Sequence, residues 1–255
     1  MSRQPGLTFG AERALVVAHR GASVEQPENT LEAFEAAIDA GADAVEFDVR
    51  LTADGVPVVM HDPDVSRTTS GQGLVSELTV EEIRKLGVPS LEETLDCLAG
   101  RAGADIELKN EPHEPGYVAG GAPALEATVD MLDRTGFPGP LLLSSFDPDT
   151  LRRSRQLRPD ISTGLLTSAD TDAAAASEAA SQDDHPWVLP FVAQVLNAGP
   201  SFVERVHRSG MRLGIWIADD PDMARTLFGW EVDAVATNDP RAIARVLRPQ
   251  SESSL

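Results

Sequence analysis

The chain has 255 residues, 42% of them hydrophobic, enough to bury a sizeable core as one domain. A net charge of -20 with no basic cluster speaks against a nucleic-acid partner, and the single cysteine, Cys97, excludes an intrachain disulfide. No stretch approaches the roughly 20 apolar residues that span a bilayer, and the first apolar run, 14–18, is too short for a signal-peptide core, so a cytoplasmic protein without stable membrane association is expected.

In chain order, short apolar runs predict strands at 14–18, 44–49, 105–109, 141–145, 162–167, 193–197, 213–218 and 234–237. Each is separated from the next by a segment long enough for a helix. In the first such segment Asn29 and Glu32 have capping-box spacing, Leu31, Phe34, Ala37 and Ile38 form an apolar stripe, and Gly41 stands where a helix stops. Residues 170–184 are alanine-rich and acidic, which predicts a thinly packed surface helix or loop, and 250–255 reads as a disordered tail. Eight parallel strands with right-handed crossovers close into a barrel, and the length matches the about 250 residues such barrels use. The predicted fold is therefore α/β, a (β/α)8 or TIM barrel over residues 1–249.

One apolar run breaks the alternation. Val56 to Met60 follows the second strand too closely for a crossover helix and must return antiparallel. Asp54-Gly55 suits a two-residue hairpin turn, which sets Ala53 opposite Val56 and, by counting, Asp48 opposite His61 to within one or two residues. A short insertion, about 62–90, then separates this hairpin from a helix beginning near Ser90.

The chemistry-bearing residues gather where apolar runs stop. Glu46 and Asp48 are two apart on a strand and share its inner face, and Glu107 and Lys109 repeat that spacing on the next parallel strand. Three carboxylates in a barrel mouth repel unless a cation compensates, and an all-oxygen donor set suits calcium or magnesium better than zinc. The competing reading is a structural network in which Arg20, Arg50 and Lys109 neutralise the acids. His19 and His61 are the natural proton-transfer pair, and Arg20 and Lys109 supply fixed positive charge for a phosphate. His113, His185 and His207 receive no role.

Several strings together, His19-Arg20-Gly21, Pro27-Glu28-Asn29-Thr30, Glu46-Phe47-Asp48-Val49, Asp54-Gly55 and His61-Asp62, resemble in order and spacing the glycerophosphodiester phosphodiesterase family. Arg67-Thr68-Thr69, Ile106-Glu107-Leu108-Lys109, Ser144-Ser145-Phe146-Asp147-Pro148 and Trp216 extend the resemblance over nearly the whole chain. It implies metal-dependent hydrolysis of a small-molecule glycerophosphodiester to sn-glycerol 3-phosphate and an alcohol. Glu46, Asp48 and Glu107 would bind one Ca2+ or Mg2+, and His19 and His61 would act as general acid and base. Arg20 and Lys109 would contact phosphate, with Phe146 and Trp216 as an apolar wall for glycerol, while Pro27 to Thr30 shape a loop and cap the first helix. A lysophospholipase D-like enzyme and a non-catalytic phosphate-binding barrel are the alternatives.

Two departures stand out. Trp216-Ile217-Ala218-Asp219 replaces the family's common Trp-Thr-Val-Asn, and Thr237-Asn238-Asp239-Pro240 replaces Thr-Asp-x-Pro. Both border the expected pocket, so they are expected to bear on headgroup preference.

Overall fold

The computed structural model describes residues 13–248. Its strands are β1 (Leu15–His19), β2 (Ala44–Leu51), β3 (Pro57–Val59), β4 (Gly103–Leu108), β5 (Leu141–Ser145), β6 (Ser162–Leu166), β7 (Trp187–Leu189), β8 (Arg212–Ile215) and β9 (Ala234–Thr237). All but β3 are parallel, and they pair in the order β1, β2, β4, β5, β6, β7, β8, β9, with β9 returning to β1. The barrel is closed, so no edge is left in it.

Alternation along the strands divides the core in two. On β2, Val45, Phe47 and Val49 face outward and pack against α1 (Leu31–Asp39), where Phe34 meets Phe47 with ring centroids 5.8 Å apart. The intervening Glu46 and Asp48 face the barrel lumen and are buried there. The lower lumen is filled by an apolar layer that includes Leu15, Val17, Leu142, Trp187 and Leu189. Glycines make room for that layer: a Cβ on Gly214 would lie 2.5 Å from Leu189 Cδ2, and one on Gly164 would lie 2.7 Å from Leu189 Cδ1.

Helices follow the strands: α2 (Val80–Lys85) in the insertion, then α3 (Leu91–Leu98), α4 (Ala122–Thr135), α5 (Pro148–Leu157), α6 (Ala173–Gln182), α7 (Val192–Ala198), α8 (Pro200–Arg208), α9 (Pro221–Gly229) and α10 (Pro240–Leu247). Thr79 with Glu82 and Ser90 with Glu93 form complete capping boxes for α2 and α3, fixing where each begins. As expected, α6 is small-sided and buries only Ala173, Ala176 and Ala180.

Two expectations need correction, and the hairpin register is refined within the range expected for it. The predicted strand at 193–197 is helix α7; the strand is Trp187–Leu189, three residues between Pro186 and Pro190. Val192 and Val195 are buried while Asn197 is exposed, a helical spacing that the apolar content of the segment obscured. The cap of α1 is Thr30, whose side chain accepts from the Ala33 amide, and not Asn29. The hairpin is shifted by one: Val49 pairs with Val59, and the Met60 amide donates to the Asp48 carbonyl at 2.9 Å. Its loop is three residues long, because Thr52 N–H closes on Val56 O and only Gly55 takes the left-handed conformation, at φ +78°. His61 thus follows the residue opposite Asp48.

The insertion carries two short 3-10 turns (Val65–Arg67 and Val75–Glu77) before α2. Val65, Val75, Ile83 and Val88 close over Val58 and Met60 as a small cluster of their own. The expected tail at 250–255 lies outside the described residues, and among these no helix is long and apolar enough to cross a membrane.

Candidate active site

Three strand ends and the hairpin return converge on one rim. In β1–β2 pairing His19 stands beside Glu46, and in β2–β4 pairing Asp48 stands beside Glu107. One carboxylate oxygen from each of Glu46, Asp48 and Glu107 lies within 4.8 Å of the others, and all three residues are buried. Glu46 Oε1 and Asp48 Oδ1 have no hydrogen-bond partner. Buried acceptors left open in an all-oxygen set fit a hard divalent cation.

Without such a cation the acids divide by their neighbours. Burial, reinforced by Asp48 and Glu107, pushes the Glu46 carboxyl well above the usual carboxylate range. Asp48 is equally buried, but Lys109 and Arg20 outweigh that burial and hold it below its ordinary value. Burial raises Glu107 to about 7 against the opposing charge of Lys109. Below them Asp105, which accepts from Ser144 Oγ at 2.7 Å, is also raised by burial to about 7.

Lys109 is the buried cation of the site. Its Nζ lies 2.8 Å from Glu107 Oε1, 3.3 Å from Glu111 Oε1 and 3.8 Å from Asp48 Oδ1. Burial disfavours its charge, yet these acids more than compensate and keep it protonated. The Arg20 guanidinium lies 3.3 Å from Asp48 Oδ2 and 3.0 Å from Glu28 Oε1. The competing structural network is therefore partly present, but it leaves two carboxylate oxygens without a hydrogen bond.

His19 and His61 are both held by Nδ1. His19 Nδ1 is 2.8 Å from Asn238 Oδ1, and its Nε2 is 3.9 Å from Glu46 Oε2. His61 Nδ1 is 2.6 Å from Asp62 Oδ1, and its Nε2 is 3.4 Å from Lys109 Nζ. Burial lowers both imidazoles below their ordinary pKa, with Arg20 adding to the effect at His19 and Lys109 at His61. Both shifts favour the neutral ring. Arg67 ties Asp62 to Glu28, bonding Glu28 at 2.7 and 3.0 Å, and its hydrogen bond to Asp62 lowers that carboxyl to about 2.

Phe146 and Trp216 stand edge to face, centroids 5.5 Å apart, and Trp216 Nε1 donates to Leu189 O at 3.0 Å. They line one side of a cavity of about 190 Å³ that also reaches His19, His61, Glu46 and Lys109. Of the residues expected at the site from sequence, all but Asp48 line this opening, and Asp48 is buried beside it against Arg20 and Lys109.

Sequence reasoning missed the residues that hold these groups. Asn29 is buried and donates to Asp48 Oδ2 at 2.8 Å, a bond its left-handed backbone, φ +58°, makes possible. Asparagine tolerates that conformation, which was the available signal. Asn238 and Asp219, expected from sequence to bear on headgroup preference, bond each other at 2.7 Å, and Asn238 Oδ1 lies 2.8 Å from His19 Nδ1.

A family model described as "Glycerophosphoryl diester phosphodiesterase family" matches residues 19–242, which spans every one of these groups. The chain belongs to the glycerophosphoryl diester phosphodiesterase family. It is 31% identical to a glycerophosphodiester phosphodiesterase of Caldanaerobacter subterraneus subsp. tengcongensis, an alignment covering 92% of this chain and 98% of that protein. Among solved structures it resembles an Oleispira antarctica phosphodiesterase in complex with the product sn-glycerol-3-phosphate, at TM-score 0.80 and 27% identity over 92% of this chain and 97% of that one. The glycerophosphodiester phosphodiesterase of Thermotoga maritima matches at TM-score 0.75 and 26% identity, over 92% and 98%. The family and the barrel expected from sequence are both present.

Proposed function

We propose that the protein hydrolyses glycerophosphodiesters to sn-glycerol 3-phosphate and an alcohol with Ca2+ or Mg2+ bound at Glu46, Asp48 and Glu107. The observation that carries this reading is the convergence of both histidine Nε2 atoms on a rim with three buried, partly unanswered carboxylates. The small-molecule product named for the Oleispira antarctica relative is in keeping with it. When bound there, the ion supplies positive charge to the phosphate and lowers the pKa of a coordinated hydroxyl or water.

The chain's own groups do the rest. Arg20 and Lys109 contact the phosphate and offset charge on its oxygens as the phosphorus–oxygen bond to the attacker forms. One neutral imidazole accepts the attacker's proton at Nε2. The other takes up a proton once the phosphate anion is bound beside it and passes that proton to the alcohol oxygen as its bond to phosphorus breaks. The attacker is water, or it is the neighbouring glycerol hydroxyl, in which case a water molecule then opens the resulting cyclic phosphate to give glycerol 3-phosphate. Phe146 and Trp216 exclude water beside the glycerol carbons. The exposed large apolar side chains among the described residues are Val24, Tyr117, Val118 and Leu157, a sparse set for holding an acyl chain, which favours a deacylated substrate over a lysophospholipid.

The test is release of glycerol 3-phosphate from glycerophosphocholine and glycerophosphoethanolamine, and of choline from lysophosphatidylcholine, whose phosphate product keeps its acyl chain, with Ca2+, with Mg2+ and with chelator. Metal-dependent turnover of the first two is expected, with His19→Ala and His61→Ala each losing at least roughly 100-fold in kcat. Near-normal turnover by either variant would overturn the proton-transfer assignment. Turnover of none of the three with metal supplied would favour the binding barrel.

A further inference from the structure

We infer that Asp219 and Asn238 form a positioning relay that sets the tautomer of His19, presenting a bare Nε2 to the substrate. The inference rests on His19 as a proton-transfer group, but its geometry can be argued independently. Asp219, at the end of the loop after β8, accepts three hydrogen bonds: from Thr237 Oγ1 at 2.8 Å, from the Asn238 backbone N–H at 2.7 Å and from Asn238 Nδ2 at 2.7 Å. An ionised carboxylate only accepts, so the Asn238 amide must turn its NH2 toward Asp219. Its oxygen then faces the other way, to His19 Nδ1 at 2.8 Å and Ser23 Oγ at 3.0 Å. An amide oxygen cannot donate, so Nδ1 must carry the hydrogen. In the neutral ring Nε2 is then left as the acceptor, on the side of Glu46.

The relay makes a residue with no contact to His19 decide where the His19 proton sits. In Asp219→Asn the Asn238 backbone N–H still requires an oxygen, so the new NH2 group must face Asn238 Nδ2. The Asn238 amide escapes this donor–donor clash by rotating, and then offers its own NH2 to His19 Nδ1. The imidazole would have to accept at Nδ1 and protonate Nε2, which leaves the wrong atom toward the substrate. Exchanging the pair, Asp219→Asn with Asn238→Asp, restores an acceptor opposite Nδ1 and a donor opposite that acceptor.

The experiment is 15N NMR of labelled imidazoles at about pH 8, where an ordinary histidine is neutral, with the His19 signals identified by their loss in His19→Gln. The wild-type protein should show a protonated Nδ1 and a pyridine-type Nε2, Asp219→Asn the reverse, and the exchanged pair the wild-type pattern. Turnover should follow: kcat falls roughly 10- to 100-fold in Asp219→Asn, the usual cost of losing an orienting partner, with KM little changed, and most of it returns in the exchanged pair. A wild-type Nε2–H tautomer overturns the relay whatever the variants do. So does an Asp219→Asn protein with the wild-type tautomer, or an exchanged pair that folds by circular dichroism yet recovers neither tautomer nor turnover. If His19→Ala kept full turnover, the proton-transfer reading would fail while the tautomer measurement still stood.

Discussion

Replacing Asn29 separates two contributions that the structure joins in one residue. Its side-chain amide donates to Asp48 Oδ2 at 2.8 Å, and its backbone sits at φ +58°. Asp48 is fully buried and its Oδ1 has no hydrogen-bond partner, so losing Asn29 leaves the carboxylate with only the longer Arg20 and Lys109 contacts, at 3.3 and 3.8 Å. A hydrogen bond to a charged group contributes about 1.5–3 kcal/mol, and this part is lost in both Asn29→Gly and Asn29→Ala. Alanine also suffers the left-handed backbone, about 1 kcal/mol more, which glycine avoids. For a chain of this size each kcal/mol moves the melting midpoint by roughly 2–4 °C, so about 3–12 °C is expected for Gly and a few degrees more for Ala. Thermal unfolding by circular dichroism, in chelator so that no metal masks the loss, reads both. A glycine variant as stable as wild type would show that the Asn29–Asp48 bond carries nothing; glycine and alanine variants of equal stability would remove the backbone part.

Asp105→Asn should stabilise the chelated protein more at pH 8 than at pH 5. The native carboxyl titrates at about 7, above its unfolded value, so the folded state holds the extra proton, and wild-type stability from this group is lost as pH rises through that range. The gain from the neutral amide is worth about 1.4 kcal/mol for each pKa unit removed; a gain independent of pH would refute the assignment. Gly214→Ala places a methyl against Leu189 and should cost about 1–3 kcal/mol, read as a lower melting midpoint. In a Leu189→Ala background the same Gly214→Ala change should cost less than it does in the wild type, and an equal cost in both would mean the crowding lies elsewhere. Adding Ca2+ or Mg2+ should raise the melting midpoint of the wild-type protein but not of Asp48→Asn, since a ligand stabilises only the state that binds it; an equal rise in both would place the ion elsewhere.

Much of the site was legible because strand periodicity of two does two jobs. It puts Val45, Phe47 and Val49 on the helices and Glu46 and Asp48 in the lumen, so the same alternation that marks a strand also aims its acids. The adjacency of Asp48 to Glu107 then follows from parallel order alone. What could not be read depended on single hydrogen bonds between distant residues. Nothing near Asn29 marks Asp48, 19 residues away, as its partner, and nothing near His19 marks Asn238, 219 residues away. Strand β7 was passed over because three residues are too few to show a period, while α7 beside it carries a longer apolar run. The hairpin register was readable only to within a residue or two because Asp54-Gly55 serves equally in a two- or three-residue loop, and which one forms is decided by Thr52 and Val56.

The insertion's private cluster bears on how the enzyme's opening can change over time. Val58 and Met60 belong to that cluster, yet the same short return delivers His61 to the barrel rim. A layer that packs on its own residues can lengthen, shorten or change composition without disturbing the strands beneath, provided it keeps those two anchors and the Arg67 bridge to Glu28. The layer over the hairpin is therefore a part of the molecule whose remodelling, with those anchors kept, leaves the barrel strands and their acids in place.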